Sequence, residues 1–219
     1  MVIYDILIIG WCVVMSSKKI SNKDIIVEIE HYNNLIQEIK KEYGWDKIGG
    51  CYNKSTGNVI ASILRKYIKK YCNKKYKVSN VNSYIEGCPI EWDLIILKKD
   101  AVDNYINTYR LDDCVCLIEF KTSGLWAYQV KQIDKTFDLH FKYLYNFREK
   151  LGRSIPFAYI TYSETISYYE ETKKYFDKMN GINNTTFMFK KYNSSKNNQN
   201  YDFEVGYSDF EKYIMDLLR

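Results

Sequence analysis

The chain has 219 residues, 46% of them hydrophobic and 27% charged, with 32 basic against 27 acidic side chains and a net charge of +5. That apolar mass is enough for a real core, which excludes a disordered chain and a miniprotein held together by cross-links. Only two histidines occur, His31 and His140, so chemistry built on a histidine cluster is excluded and must fall to carboxylates, lysines or cysteines.

Residues 2–14 are apolar but interrupted by Asp5, and fall short of the ~20 residues of a membrane span. They also lack the basic flank and cleavage site of a signal peptide. The change to Ser16-Ser17-Lys18-Lys19 sets residues 1–23 apart as an N-terminal extension and makes Met15 a candidate start. Residues 24–219 read as one domain, with a core at about 55–165 and a variable part at 166–219. The spacing of Ile25, Ile29, Tyr32, Ile36 and Ile39 predicts a helix over 24–43, ended by Gly44. A loop from Gly49-Gly50 to Gly57 leads to a second helix over 57–72, with Ile60, Ile63, Leu64, Tyr67, Ile68 and Tyr71 as its apolar face.

A strand pattern follows at 76–86, then a stronger one at Ile90–Leu97, a polar connection at 98–113, and a second strong strand at Cys114–Lys121. A long helix is expected over 125–151, with Trp126, Val130, Ile133, Phe137, Phe141, Leu144 and Leu151 as its stripe and Gly152 closing it. Then come a strand at Pro156–Tyr162, a helix near 165–179 and a strand at 185–190. The segment 191–201 reads as a polar flexible loop that returns Tyr201–Val205 to pair with 185–190, and a short helix follows at 207–218. The order is helix, three strands, helix, strand and tail, a mixed α/β domain.

The six cysteines form no C-x-x-C pair and have no histidine at zinc-ligand spacing. Cys114 and Cys116, two apart in an apolar run, are expected on one strand face as small hydrophobes. Reduced thiols and a cytoplasmic location follow, with no membrane association. His140 is expected as a surface or half-buried residue of the long helix, and Trp126 as core.

The two strong strands carry the informative polar residues. Alternation puts Glu91, Asp93 and Ile95 on one face, and Leu117, Glu119 and Lys121 on one face of the other strand, while Ile118 and Phe120 point into a core. An antiparallel hairpin that pairs Leu97 with about Val115 sets Asp93 opposite about Glu119. Two carboxylates and an ammonium then meet among hydrophobic runs, where desolvation is costly unless they bind a cation or each other. Such an acidic pair suits a hard divalent ion such as magnesium, which takes oxygen ligands.

Asp93 followed by Glu119-Phe120-Lys121, within this element order, resembles the PD-(D/E)XK nuclease superfamily. The flanks Pro89-Ile90-Glu91-Trp92-Asp93-Leu94 and Ile118-Glu119-Phe120-Lys121-Thr122-Ser123-Gly124 look like restriction-type and defence-associated members. The resemblance implies a restriction-endonuclease-like αβββαβ core, a central mixed sheet flanked by helices. It also implies metal-dependent hydrolysis of phosphodiester bonds, usually in DNA, with Mg2+ or Mn2+ and no organic cofactor. Asp93 and Glu119 would be metal ligands, with the Phe120 carbonyl as a third, and Lys121 would position the attacking water. Many members add an acid on the preceding helix, where this chain offers Asn58; Glu91, or Glu86 one strand earlier, is the substitute. Many also carry a glutamine on the following helix, for which Gln129 and Gln132 both stand as candidates, Gln132 preferred. Ser123 is a candidate phosphate contact and, alternatively, a helix cap. A homodimer would suit double-strand cutting, though nothing in the sequence marks one. A carboxylate-pair glycosidase fits the E-x-K spacing and the basic run described next less well.

From Arg65 to Lys77 there are seven positive charges and no acid: Arg65, Lys66, Lys69, Lys70, Lys74, Lys75 and Lys77, with Tyr67, Tyr71 and Tyr76 between them. Uncompensated charge at that density points to a polyanion, and phosphate contacts of this kind give sequence-independent, salt-sensitive affinity. The run is therefore expected to contact DNA, its rings interleaved for stacking. The 22 tyrosines of the chain otherwise accord with AT-rich codon usage.

Overall fold

The longest apolar runs are buried on both faces: Leu94, Ile95, Ile96 and Leu97 are fully inaccessible, as are Cys116, Leu117 and Ile118. Strands of that composition belong in the middle of a covered sheet. In a computed structural model that describes residues 27–28, 31, 45–123, 133–192 and 207–219, they form its centre. The described elements are α1 (Trp45–Ile68), β1 (Tyr76–Val78), β2 (Ser83–Ile85), β3 (Glu91–Trp92), β4 (Leu94–Lys98), β5 (Thr108–Tyr109), β6 (Cys114–Ser123), α2 (Ile133–Leu151), β7 (Phe157–Thr165), α3 (Ile166–Asp177), β8 (Asn184–Tyr192) and α4 (Tyr207–Leu217).

Five strands make the main sheet in the order β1-β4-β6-β7-β8, and a small sheet has the order β3-β2-β5. The β1–β4 and β4–β6 pairs are antiparallel, whereas β6–β7 and β7–β8 are parallel. The parallel links need crossover connections, and α2 and α3 supply them. On one side of the sheet, α1 and α4 bury Ile60, Leu64, Ile68, Phe210 and Ile214 against Leu94, Ile96, Ile118 and Ile160. On the other, α2 and α3 bury Phe137, Phe141, Leu144 and Phe176 against Ile95, Leu117, Phe157 and Tyr159. The result is a helix–sheet–helix sandwich with the mixed α/β order expected from the sequence.

Several expectations are corrected. The helix assigned to 57–72 runs from Trp45 to Ile68, so the expected loop from Gly49 to Gly57 is helical. Two adjacent glycines weaken a helix by about 1 kcal/mol each, and the burial of the apolar face between Ile60 and Ile68 outweighs that cost. The strand expected at 76–86 divides between the two sheets, and so does the one at 90–97, which breaks at Asp93. The connection 98–113 contains β5 and a 3-10 turn at Leu111–Asp113.

Cys114 and Cys116 point to opposite sides of the sheet rather than one. Ile96 pairs with Cys116 but Leu97 with Cys114, so Val115 is bulged and the alternation reverses there. Burial pushes both thiols up to about 12, which leaves them as inert apolar groups, and Cys72, Cys88, Cys114 and Cys116 are all unbridged. Gly152 closes α2 as expected, at φ 65°, a conformation glycine adopts without strain. The expectations for residues 1–23, most of the helix at 24–43, Trp126 and Val130, and the segment 193–206 with its Tyr201–Val205 strand lie outside the described residues. No described helix is long and apolar enough to cross a membrane.

Phe157 is fully buried and its ring meets Trp92, His140, Phe141 and Phe176. Phe157→Ala should lower stability by about 3–5 kcal/mol, read as a drop in the urea midpoint at unchanged slope.

Candidate active site

The site forms where the chain leaves the sheet. β4 begins at Leu94, which pairs with Ile118, so the β6 residues beyond Ile118 have no strand partner on that side. Asp93 fills the gap with its side chain: Oδ2 accepts the Phe120 backbone N–H at 2.6 Å. A buried N–H without a partner would cost about 1–3 kcal/mol, and the carboxylate meets that need. The expected register places Asp93 beside Glu119, and the pairs Leu94–Ile118, Ile95–Leu117 and Ile96–Cys116 keep it, with the bulge falling only beyond Ile96.

Glu119 and Lys121 project from β6 on the face opposite Phe120. Glu119 is 5% exposed, and its Oε1 accepts a hydrogen bond from Lys121 Nζ in a close ion pair. The Lys121 side chain remains 42% exposed, so the ammonium bridges the buried acid and solvent. Glu91, on β3, accepts a hydrogen bond from the Tyr84 hydroxyl at 2.7 Å. Burial first, and the Glu119 charge after it, raise the Asp93 pKa to about 7, while Lys121 and the Phe120 N–H hold it back. Burial alone would lower the Lys121 pKa, but Glu119, Asp93 and Glu91 outweigh it and the net shift is upward. The pocket therefore holds more negative than positive charge.

The structure thus brings Asp93, Glu119, Lys121 and the Phe120 backbone together, with Glu91 beside them. Glu86 is exposed and takes a hydrogen bond from Asn104 Nδ2 at 2.5 Å. Gln129 and Gln132 lie outside the described residues. Ser123 is the last residue of β6, opposite Ser163, so the strand runs two residues past its expected end at Lys121.

Sequence reasoning missed His140. From α2 its Nε2 stands 4.0 Å from Glu119 Oε2, and its ring sits edge-on to Trp92 with centroids 5.2 Å apart. The signal was present: His140 lies three residues after Phe137 and four before Leu144, on the stripe that faces the sheet.

Of the basic run, Arg65 donates to the Ser79 carbonyl (2.5 Å) and to Asn80 Oδ1 (2.8 Å), Lys66 stands 3.8 Å from Glu28, and Lys77 Nζ donates to the Ala101 carbonyl. Lys69, Lys70, Lys74 and Lys75 are exposed.

Among the described residues no group of three or more histidine, cysteine or acidic side chains is placed to hold a metal ion. The pair Asp93 and Glu119 nevertheless suits one. Both are hard oxygen donors, and burial together with the Glu119 charge raises the Asp93 pKa, a penalty that a bound cation would relieve.

Neither a protein-family model nor a curated protein sequence matches the chain. Among solved structures it resembles NucC from P. aeruginosa ATCC27853 in its cAAA-bound form, at 11% identity and a TM-score of 0.52, over 94% of this chain and 92% of that one. It also resembles cAAA-bound NucC from E. coli MS115-1, at 12% identity and a TM-score of 0.52, over 90% of this chain and 86% of that one. NucC has a restriction-endonuclease-like fold, and this chain shares that fold.

The Asp93 shift has a direction that can be measured in metal-free buffer. Its folded pKa lies above the unfolded one, so between about pH 4 and 7 the folded state holds a proton the unfolded state has lost. Stability from this group is present below that window and is lost as the pH rises through it. Asp93→Asn should therefore gain in urea midpoint relative to wild type on going from pH 4 to pH 7.5. An unchanged difference across that range would contradict the burial of a charged Asp93.

Proposed function

We propose that this chain is a divalent-metal-dependent nuclease that hydrolyses phosphodiester bonds in DNA, an endonuclease of restriction or defence type. The observation that supports it most is the Asp93–Glu119–Lys121 cluster at the break between β3 and β4. There, two carboxylates are held under partial burial by a backbone hydrogen bond and an ion pair. A salt bridge kept only for stability gains little from a second, repelling acid.

In this reading Asp93 and Glu119 would hold Mg2+ or Mn2+, with the Phe120 carbonyl as a further donor. The ion, when bound, would supply Lewis acidity to the phosphoryl oxygen and make water more acidic at neutral pH. Lys121 reaches solvent beside the two acids, where its ammonium can hold the attacking water in line and neutralise the charge that develops on the phosphate. Glu91 adds negative charge at the rim. His140, through Glu119, fixes the orientation of that carboxylate.

A second reading is a DNA-binding module that keeps the fold without catalysis. Asn58 on α1, with no acid between residues 57 and 68, favours it.

Incubation with supercoiled and linear DNA, with magnesium, manganese or EDTA, separates the two. Metal-dependent cleavage supports the nuclease, and binding without cleavage supports the module. Because the two similar structures carry cAAA, each reaction is run with and without it. Asp93→Ala, Glu119→Ala and Lys121→Ala should each lower the cleavage rate by at least ~100-fold with circular dichroism unchanged. Wild-type cleavage by Glu119→Ala would rule out this site. Manganese at neutral pH should raise the melting temperature of the wild type but not of Glu119→Gln, because binding to the folded state alone stabilises it.

A further inference from the structure

The basic run and the acidic pocket lie at opposite ends of β4. Tyr76 pairs with Lys98, and the Lys99 backbone N–H donates to the Lys75 carbonyl at 2.8 Å, so the chain after α1 meets the C-terminal end of β4. Asp93 precedes the N-terminal end. Five residue steps of extended chain lead from Asp93 to Lys98, a span of ~17 Å. Lys98 and Lys99, which the sequence places in a different segment, join Lys69, Lys70, Lys74 and Lys75 on this surface. All six are exposed. Lys69 and Lys99 both act electrostatically on the Cys72 thiol, so both lie near it.

Acid nearby is scarce. Asp100 is exposed beside Lys99, and at the abutting end of α4 Asp216 pairs with Arg219 at 3.2 Å. Asn73 ties that end in place through the Leu218 carbonyl at 3.2 Å. Among the described residues none of Lys69, Lys74, Lys75, Lys98 or Lys99 has an ion-pair partner.

The tyrosines between the lysines are not a stacking platform. Tyr67 is 1% exposed in the core, and Tyr71 and Tyr76 pack against the same cluster, Tyr71 donating its hydroxyl to Glu211. A surface of ammonium groups without available rings suits the phosphates of a duplex rather than splayed bases.

We propose that Lys69, Lys70, Lys74, Lys75, Lys98 and Lys99 form a phosphate-binding surface for duplex DNA, separate from the acidic pocket, that grips the duplex about five base pairs from the point of attack. The choice of DNA as the polyanion rests on the nuclease reading. The binding itself does not require cleavage.

The test measures binding of a labelled duplex of about 30 base pairs in EDTA by fluorescence anisotropy. It compares the full wild-type chain with a variant in which Lys74, Lys75, Lys98 and Lys99 are changed to Ala. A control variant changes Lys142 on α2, Lys173 and Lys174 on α3, and Lys178 just after it to Ala, with the same loss of charge. The patch variant should bind at least ~10-fold more weakly at about 0.1 M salt, with a log–log salt slope shallower by ~3–4, as four lost phosphate contacts require. The control should stay close to wild type, and duplexes of different base composition should behave alike. Equal weakening in both variants would reduce the effect to net charge and overturn the proposal. So would an unchanged patch variant, including one that loses only its binding to phosphatidylserine vesicles, which would assign the surface to a membrane. A chain that cuts no DNA yet loses duplex binding through these four lysines would end the nuclease reading and leave this surface standing.

Discussion

The hydrogen bond from the Phe120 amide to the Asp93 carboxylate is the constraint on which the rest of the site depends. An antiparallel pair ordinarily satisfies its amides strand to strand. Here the chain crosses from the small sheet to the main one at Asp93, and β6 is left with an N–H facing no strand. A side chain takes over the task of a backbone carbonyl. That substitution fixes an acid at the sheet's edge, and the period-two alternation of β6 then puts Glu119 and Lys121 on the face opposite Phe120. The same strand buries Ile118 and Phe120 under α1 and α4, so the charged face is held by the packing of the apolar one.

Charge is distributed along β4 with a clear polarity. At its beginning, burial and mutual repulsion raise the Asp93 pKa, and one lysine only partly offsets two or three acids. At its end, lysines from two chain segments meet with almost no acid between them. Separating the two by the length of a strand keeps the lysines from neutralising the pocket, so the pocket stays able to attract a cation while the far surface attracts an anion. Had the basic run fallen beside Asp93, its ammonium groups would have paired with the carboxylates and neither surface would have kept its field.

His140 and the aromatic ring cluster form the third part of the arrangement. Trp92 precedes Asp93 by one residue and is fully buried, and His140 and Phe157 pack on it. The strand break, the buried acid and the helix that follows are thereby linked through one set of rings. A change in that packing would reach the carboxylates through Trp92 and His140 without touching them directly.

Much was legible in the sequence because it depended on short-range periodicity. The two apolar runs read as central strands, their alternation placed Asp93, Glu119 and Lys121 on one side, and the pairing of 93 with 119 followed from a hairpin register that the Leu94–Ile118 pair keeps. Helix α2 is legible from its apolar stripe and from Gly152, and α3 and α4 fall near the helices expected at 165–179 and 207–218. What failed depended on competition between elements. The glycines at 49 and 50 read as a loop because local propensity was weighed without the long helix they extend. Cys114 and Cys116 read as neighbours because a bulge cannot be seen in one strand alone. Arg65 and Lys77 read as part of a binding face, while their donors are spent on Ser79, Asn80 and Ala101. The sequence by itself determined which residues are acidic, basic or apolar along each strand, and hence which chemistry is present. Only the tertiary structure decided which of them share a place. It brought His140 to Glu119, joined Lys98 and Lys99 to the run before β1, and turned the tyrosines inward, because burial of apolar surface and completion of backbone hydrogen bonds act over the whole fold rather than along the chain.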